Sequence, residues 1–354
     1  MTFETRSTHA KSARRLAMLA VATWLLGVAP FTAPARASSE KPREVITIAT
    51  SGQTAVVSDA IAAAFAARFE APIPRVTETP TRSAFDEFCS AVNAGPDVVV
   101  AGRRMSHAEL GRCRRAEAGD IVEIPIGYEV AVFVTRRDGP ALDLTPDQLF
   151  DLVAANGSRP ARWADAGVAE FGEDVRVLMP PPDDPAFDII RERILIMACR
   201  DRPGIRDMRD AASRTTACGS IRDDAGIVSE LDQRQITRTL GRGAVGLVGN
   251  SVFQHDNANL QPVLIDGERP TILGVVSGSY PAARPLFVYA KADRMRNGRG
   301  RGKVRGLRDL AEFIAGDEII GPQGVLGRLG LIMAPAERRV VTRMRTMALV
   351  PFNR

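Results

Sequence analysis

Apolar residues along this chain follow two rhythms. Short, nearly continuous β-branched runs such as VITIAT (45–50) and DVVVAG (97–102) read as strands buried on both faces. Between them, AVVSDAIAAAFAARF (55–69) places its apolar residues at helical spacing. The extended piece PRVTE then leads to Thr81-Arg82-Ser83 and a second helical stretch, AFDEFCSAVNAG. Next, IVEIPIGYEVAVFVT (121–135) predicts two consecutive strands with Pro125 and Gly127 between them. The middle of the chain repeats the alternation. LTPDQLFDLVAAN is a helix with Thr145 as N-cap, VRVLM a strand, PAFDIIRERILIM a helix, GIVSELDQRQITRTL a helix and AVGLV a strand. RPLFVYAK and LRDLAEFIAG close the pattern as strand and helix, and no internal repeat is visible. Strands alternating with helices predict an α/β protein whose mostly parallel sheet is covered by helices.

At VLMPPPDDPAFDII (177–190) a strand ends, three prolines turn the chain, and Asp184-Pro185 reads as the N-cap and first position of a helix. Small anions are often held at such junctions, because the free amides of a helix start face them. This one offers two carboxylates and no glycine.

The first 37 residues break the pattern. Lys11, Arg14 and Arg15 precede LAMLAVATWLLGV, and Ala35-Arg36-Ala37 is the small-x-small arrangement a signal peptidase cuts. Residues 1–37 are therefore expected to be a removed export signal of the ordinary kind, without a lipid anchor, since no cysteine stands near the cut. The apolar run is too short for a comfortable membrane span. The leader holds five of the 47 basic residues and one of the 42 acidic ones, so the remainder carries 42 and 41 and is nearly neutral. That balance removes the argument for a nucleic-acid partner. The arginine-glycine run RMRNGRGRGKVRGLR (294–308) lacks interleaved aromatics and reads as a solvated surface loop.

Four cysteines, Cys89, Cys113, Cys199 and Cys218, follow the leader, and an even count in an oxidising compartment favours disulfides. Four cysteines allow three pairings; proximity suggests Cys89 with Cys113 and Cys199 with Cys218. No CxxC or HxxxH spacing supports a metal site, and neither His107 nor His255 stands in a nucleophile motif. No enzyme activity, metal or cofactor is expected.

Several stretches together resemble one family, the periplasmic phosphate-binding proteins that serve phosphate ABC transporters. They are ITIATSGQT before an alanine-rich helix, FDEFCSAVNAGPDVVVAGRRM, EIPIGYEVAVFV followed by LTPDQLFDLV, GAVGLVGNSVF, SGSYPAARPLFVYAKAD and IIGPQGVLGRLGLI. The resemblance implies a type II, Venus-flytrap fold. Residues 38–129 plus 283–354 would form one lobe and 130–282 the other, joined by two crossing strands near Tyr128 to Phe133 and Tyr280 to Phe287. It further implies a monomer that closes on a small anion and is presented to a membrane permease.

Carried over residue by residue, the resemblance puts the anion against Ser51, Gly52, Gln53 and Thr54 at the first helix start and Thr81, Arg82 and Ser83 at the second. Asp97 would accept the proton of a hydrogen phosphate, and Arg103 matches the family arginine. At the fourth loop the resemblance fails. Where the family has an arginine and a Gly-Ser-Gly-Thr-like turn, this chain has Pro180-Pro181-Pro182-Asp183-Asp184-Pro185-Ala186. Pro185 has no amide hydrogen, and Asp184 is expected to cap its own helix. An unpaired carboxylate 4 Å from a bound anion would repel it by about 4 kcal/mol at an effective dielectric of 20. Phosphate binding weaker than in the relatives is therefore expected. A sensor or interaction protein that has lost phosphate binding or binds another ligand is the alternative.

Overall fold

The computed structural model describes residues 43–91, 94–296 and 304–353. The expected export signal, and positions 297–303 of the arginine-glycine run, lie outside the described residues.

Strands β1 (Thr47–Thr50), β2 (Arg75–Glu78) and β3 (Val98–Ala101) lie parallel. Two helices make their crossovers, α1 (Ala55–Phe69) and α2 (Thr81–Phe88), and α3 (His107–Arg115) follows β3. The β4 strand (Ile121–Arg136) is followed by β5 (Asp143–Leu144), α4 (Pro146–Val153) and β6 (Val177–Leu178). Then come α5 (Pro185–Ile190), a π-helical turn (Arg191–Leu195), α6 (Ile196–Cys199) and α7 (Ala211–Gly219). After β7 (Ile227–Val228) stand α8 (Gln233–Thr239), β8 (Val245–Gly249), α9 (Asn250–His255), β9 (Leu260–Pro262), β10 (Leu264–Ile265) and α10 (Ile272–Ser277). The chain returns through β11 (Ala283–Lys291) and closes with α11 (Ala292–Met295), α12 (Leu307–Ile314), α13 (Asp317–Ile320), α14 (Val325–Arg328) and α15 (Ala336–Met347).

The main sheet runs β2-β1-β3-β11-β4-β8-β6-β7, with β9 also on β4. β11 is antiparallel to β3 and β4, and β8 is antiparallel to β4, while β6 lies parallel to β7 and β8. The sheet is thus held together by β4. Up to Val130 it pairs with β11, and from Ala131 with β8. Two strands were expected over 121–135; one continuous strand is found. Pro125 and Gly127 do not break it but sit at a bulge, where Phe287 pairs with Pro125, Leu286 with Gly127, and Ile126 is left over. Gly127 has φ +126°, and a Cβ there would come within 2.6 Å of Met333 Cε, so only glycine fits the bend.

The continuous apolar runs have a simple cause. Ile46, Ile48, Val98 and Val100 pack on one face of the sheet with α1 residues Ile61 and Phe65. Their alternates Ala49, Val99 and Ala101 pack on the other with Phe85, Phe88 and Tyr289. Helices cover both faces, so neither parity of the strand is free to be polar. A separate core gathers residues of the 130–283 stretch, including Phe133, Phe150, Trp163, Ile190 and Leu247, with Ile332 joining from the final segment.

The expected caps form. Thr145 and Gln148 make a capping box at α4, and Asp184 accepts from Ala186 N at 2.8 Å to start α5. The helix expected over 226–240 is corrected. Ile227–Val228 is instead a strand paired with β6, and α8 begins only after the Asp232 cap. Arg222 folds back to Asp224, whose carboxylate takes Gly226 N at 3.0 Å, which turns the chain into β7. The cysteine sulfurs stand at bonding distance in the proximity pairing, Cys89 with Cys113 and Cys199 with Cys218.

Candidate functional site

A cavity of about 500 Å³ opens where β1, β3 and α2 face α5 and α7. One wall is Gln53, Thr81, Gly102 and Arg103. These stand just past the carboxyl ends of β1 and β3 and at the first position of α2, where parallel strands hand over to helices and free amides gather. The opposite wall is Asp188, Arg191, Glu192 and Ile196, one stripe along α5, its π-helical extension and the start of α6. Thr215, Thr216, Gly219 and Ser220 from the end of α7 complete it. The Cys199–Cys218 link ties these two helical pieces together.

Of the first expected loop, only Gln53 faces the cavity. The Ser51 and Thr54 hydroxyls are occupied internally, 3.1 Å from each other, with Thr54 Oγ1 also 2.7 Å from Thr50 Oγ1. Gly52 is exposed and stands against Glu78. At the second loop Thr81 lines the cavity, while Arg82 and Ser83 are exposed and are not among its lining residues.

Asp97 requires a correction. It precedes β3, so it sits at the amino end of the strand, away from the cavity at Gly102 and Arg103. It is fully buried and committed there: it takes Thr47 N and Oγ1 at 2.9 Å each, Arg43 at 2.5 Å, and the buried Arg294. A carboxylate with that many donors is a structural tie between β1, β3 and α11, not a ligand acceptor.

Arg103 reaches the cavity but is forked onto Glu109, Nη1 to Oε2 at 2.8 Å and Nη2 to Oε1 at 2.7 Å. Glu109 also completes the capping box of α3 with Ser106. Burial alone would raise the Glu109 pKa, but hydrogen bonds from Arg103 and Ser106 outweigh it and hold the carboxyl down at about 2. The same pairing raises Arg103, chiefly through its hydrogen bond to Glu109.

Below the floor lies Arg284, with its side chain 1% exposed. Nε donates to Glu129 at 2.6 Å and Nη1 to Asp188 at 2.5 Å; Asp188 in turn pairs with Arg191. Burial pushes the Glu129 pKa up despite the adjacent guanidinium. Gly102 lies over Arg284, where an added Cβ would stand 3.5 Å from its Cδ and Nε.

The fourth loop does not enter the cavity. It is the side of α5, not its start, that lines the wall, and Asp184 is held by Gln233 Nε2 at 2.8 and 2.9 Å. Sequence reading missed Asp188, Arg191, Glu192, the α7 hydroxyls and Arg284. A signal for the first three was present: charged residues at i, i+3 and i+4 inside the largely apolar PAFDIIRERILIM mark one polar stripe. Arg284, a lone charge entering an apolar strand, was another.

Comparison with known proteins follows the same lines. Residues 35–318 match the family model described as the PBP superfamily domain. The phosphate-binding protein PstS of Staphylococcus epidermidis is 22% identical over 194 residues, 53% of this chain and 50% of that protein. The chain thus spans about half the length of the curated relatives it matches. Among solved structures, a possible phosphate-binding protein from Planctomyces limnophilus superposes with a TM-score of 0.67 at 20% identity, covering 88% of this chain and 100% of that one. PstS from Borrelia burgdorferi gives 0.57 at 11% identity, with 83% and 100% covered. At these identities the likeness speaks for the fold, which is the type II periplasmic-binding arrangement with its curled mixed sheet.

Proposed function

The chain belongs to the PBP superfamily, and from that premise we propose that it is a divergent phosphate-binding member, a solute-binding protein of an ABC uptake system. It holds phosphate or a related small oxyanion in the cavity between two lobes and delivers it to a membrane permease. The lobes are residues 38–129 plus 283–354, and 130–282. Support for this division comes from the cores, which draw on those same stretches apart from Ala283 and Ile332, and from β4, which changes partner at Val130 and Ala131.

One observation carries the reading. The cavity is bounded by strand-to-helix junctions on one wall and a charged helical stripe with hydroxyls on the other, so a small polar solute would touch both at once. Gln53, Thr81 and Arg103 are the proposed contacts on the first wall. An exported, monomeric, periplasmic protein without catalytic role fits the leader and this architecture. Among the described residues no helix is long and apolar enough to cross a membrane.

The arginines of the cavity are already ion-paired, which favours a second reading: a sensor or interaction protein built on the same scaffold. Isothermal calorimetry with inorganic phosphate, run beside small-angle scattering, tests the first reading. Binding accompanied by contraction of the particle is expected. Binding that contraction does not accompany, or that survives Thr81→Ala together with Arg103→Ala, would remove the cavity from consideration.

A further inference from the structure

A second cavity, of about 880 Å³, has no part in the proposed solute site and is charged as the first is not. It lies where α8, α9, the end of β4 and the end of α14 meet. On α8, Arg234, Thr237 and Arg238 stand at i, i+3 and i+4 and share one face, while Ile236 turns into the core. On α9, Ser251 and His255 stand one turn apart, with Phe253 turned inward. Arg136 from β4 and Arg328 from α14 complete the basic lining.

Four guanidiniums thus stand with one lining carboxylate, Asp256, an excess of three positive charges with His255 counted as neutral. That acid is already engaged, accepting from Asn259 Nδ2 at 2.6 Å. Arg136 shares Asp138 with Arg242, at 3.2 and 3.3 Å. Arg328 donates to the backbone carbonyl of Gln323. Among the described residues, Arg234, Arg238 and Arg328 form no ion pair. The first cavity is the contrast, for there Arg103 is matched by Glu109 and Arg191 by Asp188. Outside the leader the chain carries 42 basic and 41 acidic residues, so this excess is a local concentration of charge. Like charges at i and i+4 on a helix repel each other. Holding Arg234 and Arg238 on one face has a cost that a bound anion would remove.

We propose that this cavity is a second anion site, for a soluble polyanion that carries three or more charges along a short chain, as a condensed phosphate does. A guanidinium fork pairs with two oxygens of one phosphate group, so three unpaired forks suit several linked groups better than one. The volume is that of a pocket for a ligand larger than a single tetrahedral ion. The Ser251 hydroxyl and the His255 ring add neutral hydrogen-bonding groups to the lining. Because the charges line a hollow, a chain that enters it meets more of them than a flat bilayer surface does.

Calorimetry with tripolyphosphate on the exported chain and on two double variants decides it. The salt is held at about 0.15 M, where exposed charges more than about 8 Å apart are largely screened. Binding is expected to survive Thr81→Ala with Arg103→Ala and to weaken about ten-fold or more in Arg234→Gln with Arg238→Gln. Both of the latter side chains are exposed, so the melting temperature should not move. Whether orthophosphate binds the first cavity does not enter this comparison, and the two readings therefore fail separately. No tripolyphosphate binding at this salt, or binding that the Arg234 and Arg238 changes leave unaltered, overturns the inference. Loss of the whole signal in the Thr81 and Arg103 variant overturns it as well, since the first cavity would then be the site. So does capture of the chain by phosphatidylglycerol vesicles without any response to tripolyphosphate, which would make the patch a membrane contact.

Discussion

At the scale of single residues, Glu109 has two duties that pull apart. It closes the start of α3 and it neutralises Arg103 at the edge of the cavity. Its pKa, about 2 in the folded protein against about 4.3 in an unfolded chain, makes its contribution pH-dependent. The depressed value means that the unfolded chain binds the proton more readily. The stabilisation is therefore complete above the ordinary carboxylate range and disappears as pH falls from about 4.3 toward 2. Glu109→Gln should cost about 2 kcal/mol in urea unfolding at pH 7 and almost nothing at pH 2. At pH 7 the same variant frees Arg103 and should tighten binding of anionic probes several-fold; an unchanged affinity would place Arg103 outside the solute's reach. Asp97 makes the contrasting case. Asp97→Asn removes the negative charge that faces the buried Arg294 and should cost roughly 3–5 kcal/mol, with solute affinity in the folded protein unaltered. Loss of affinity without loss of stability would contradict the assignment of Asp97 as a tie at the far end of β3.

Among elements, α5 and α7 shape the cavity more than any single loop. The Asp184 cap and its bonds from Gln233 belong to the foundation of α5, away from the lining stripe. Asp184→Ala should accordingly lower stability by about 1–2 kcal/mol while calorimetry finds the same affinity. The two disulfides separate in the same manner. Each closes a loop of about twenty residues, for which chain entropy gives about 3 kcal/mol. Only Cys199–Cys218 stands among lining residues, with Thr216 and Ser220 two positions to either side of Cys218. Replacing that pair by serine should weaken solute binding as well as stability. Replacing Cys89 and Cys113 should lower stability alone, because Cys89 closes the far end of α2 from Thr81.

For the whole molecule, the α/β class was legible because strands covered on both faces leave an unmistakable apolar run, as in VVVA of β3. The continuity of β4 was not. Pro125 and Gly127 are breakers by local propensity, and the bulge opposite Leu286 and Phe287 that absorbs them depends on a strand about 160 residues away. The site was half legible. Residues that follow β1 and β3 could be placed by the rule that ligands gather at the carboxyl ends of parallel strands. That rule also spoke against Asp97, which precedes its strand. The opposite wall comes from α5 and α7, whose approach to the first wall is set by tertiary packing and not by spacing along the chain. This architecture carries one further expectation, for the molecule in motion. Between the two stretches of core run β4 and β11, and a solute that touches both walls binds the closed form alone. Binding should then shrink the radius of gyration and raise the melting temperature together. A hundred-fold excess over Kd supplies about 2.7 kcal/mol of stabilisation. Gly127→Ala puts a methyl group against Met333 at the bulge of β4, and should lower the melting temperature of the free protein. If it also uncouples the two signals, so that the solute still binds but the particle no longer contracts, the bend at Gly127 is the hinge. If contraction survives, closure pivots elsewhere along the paired strands.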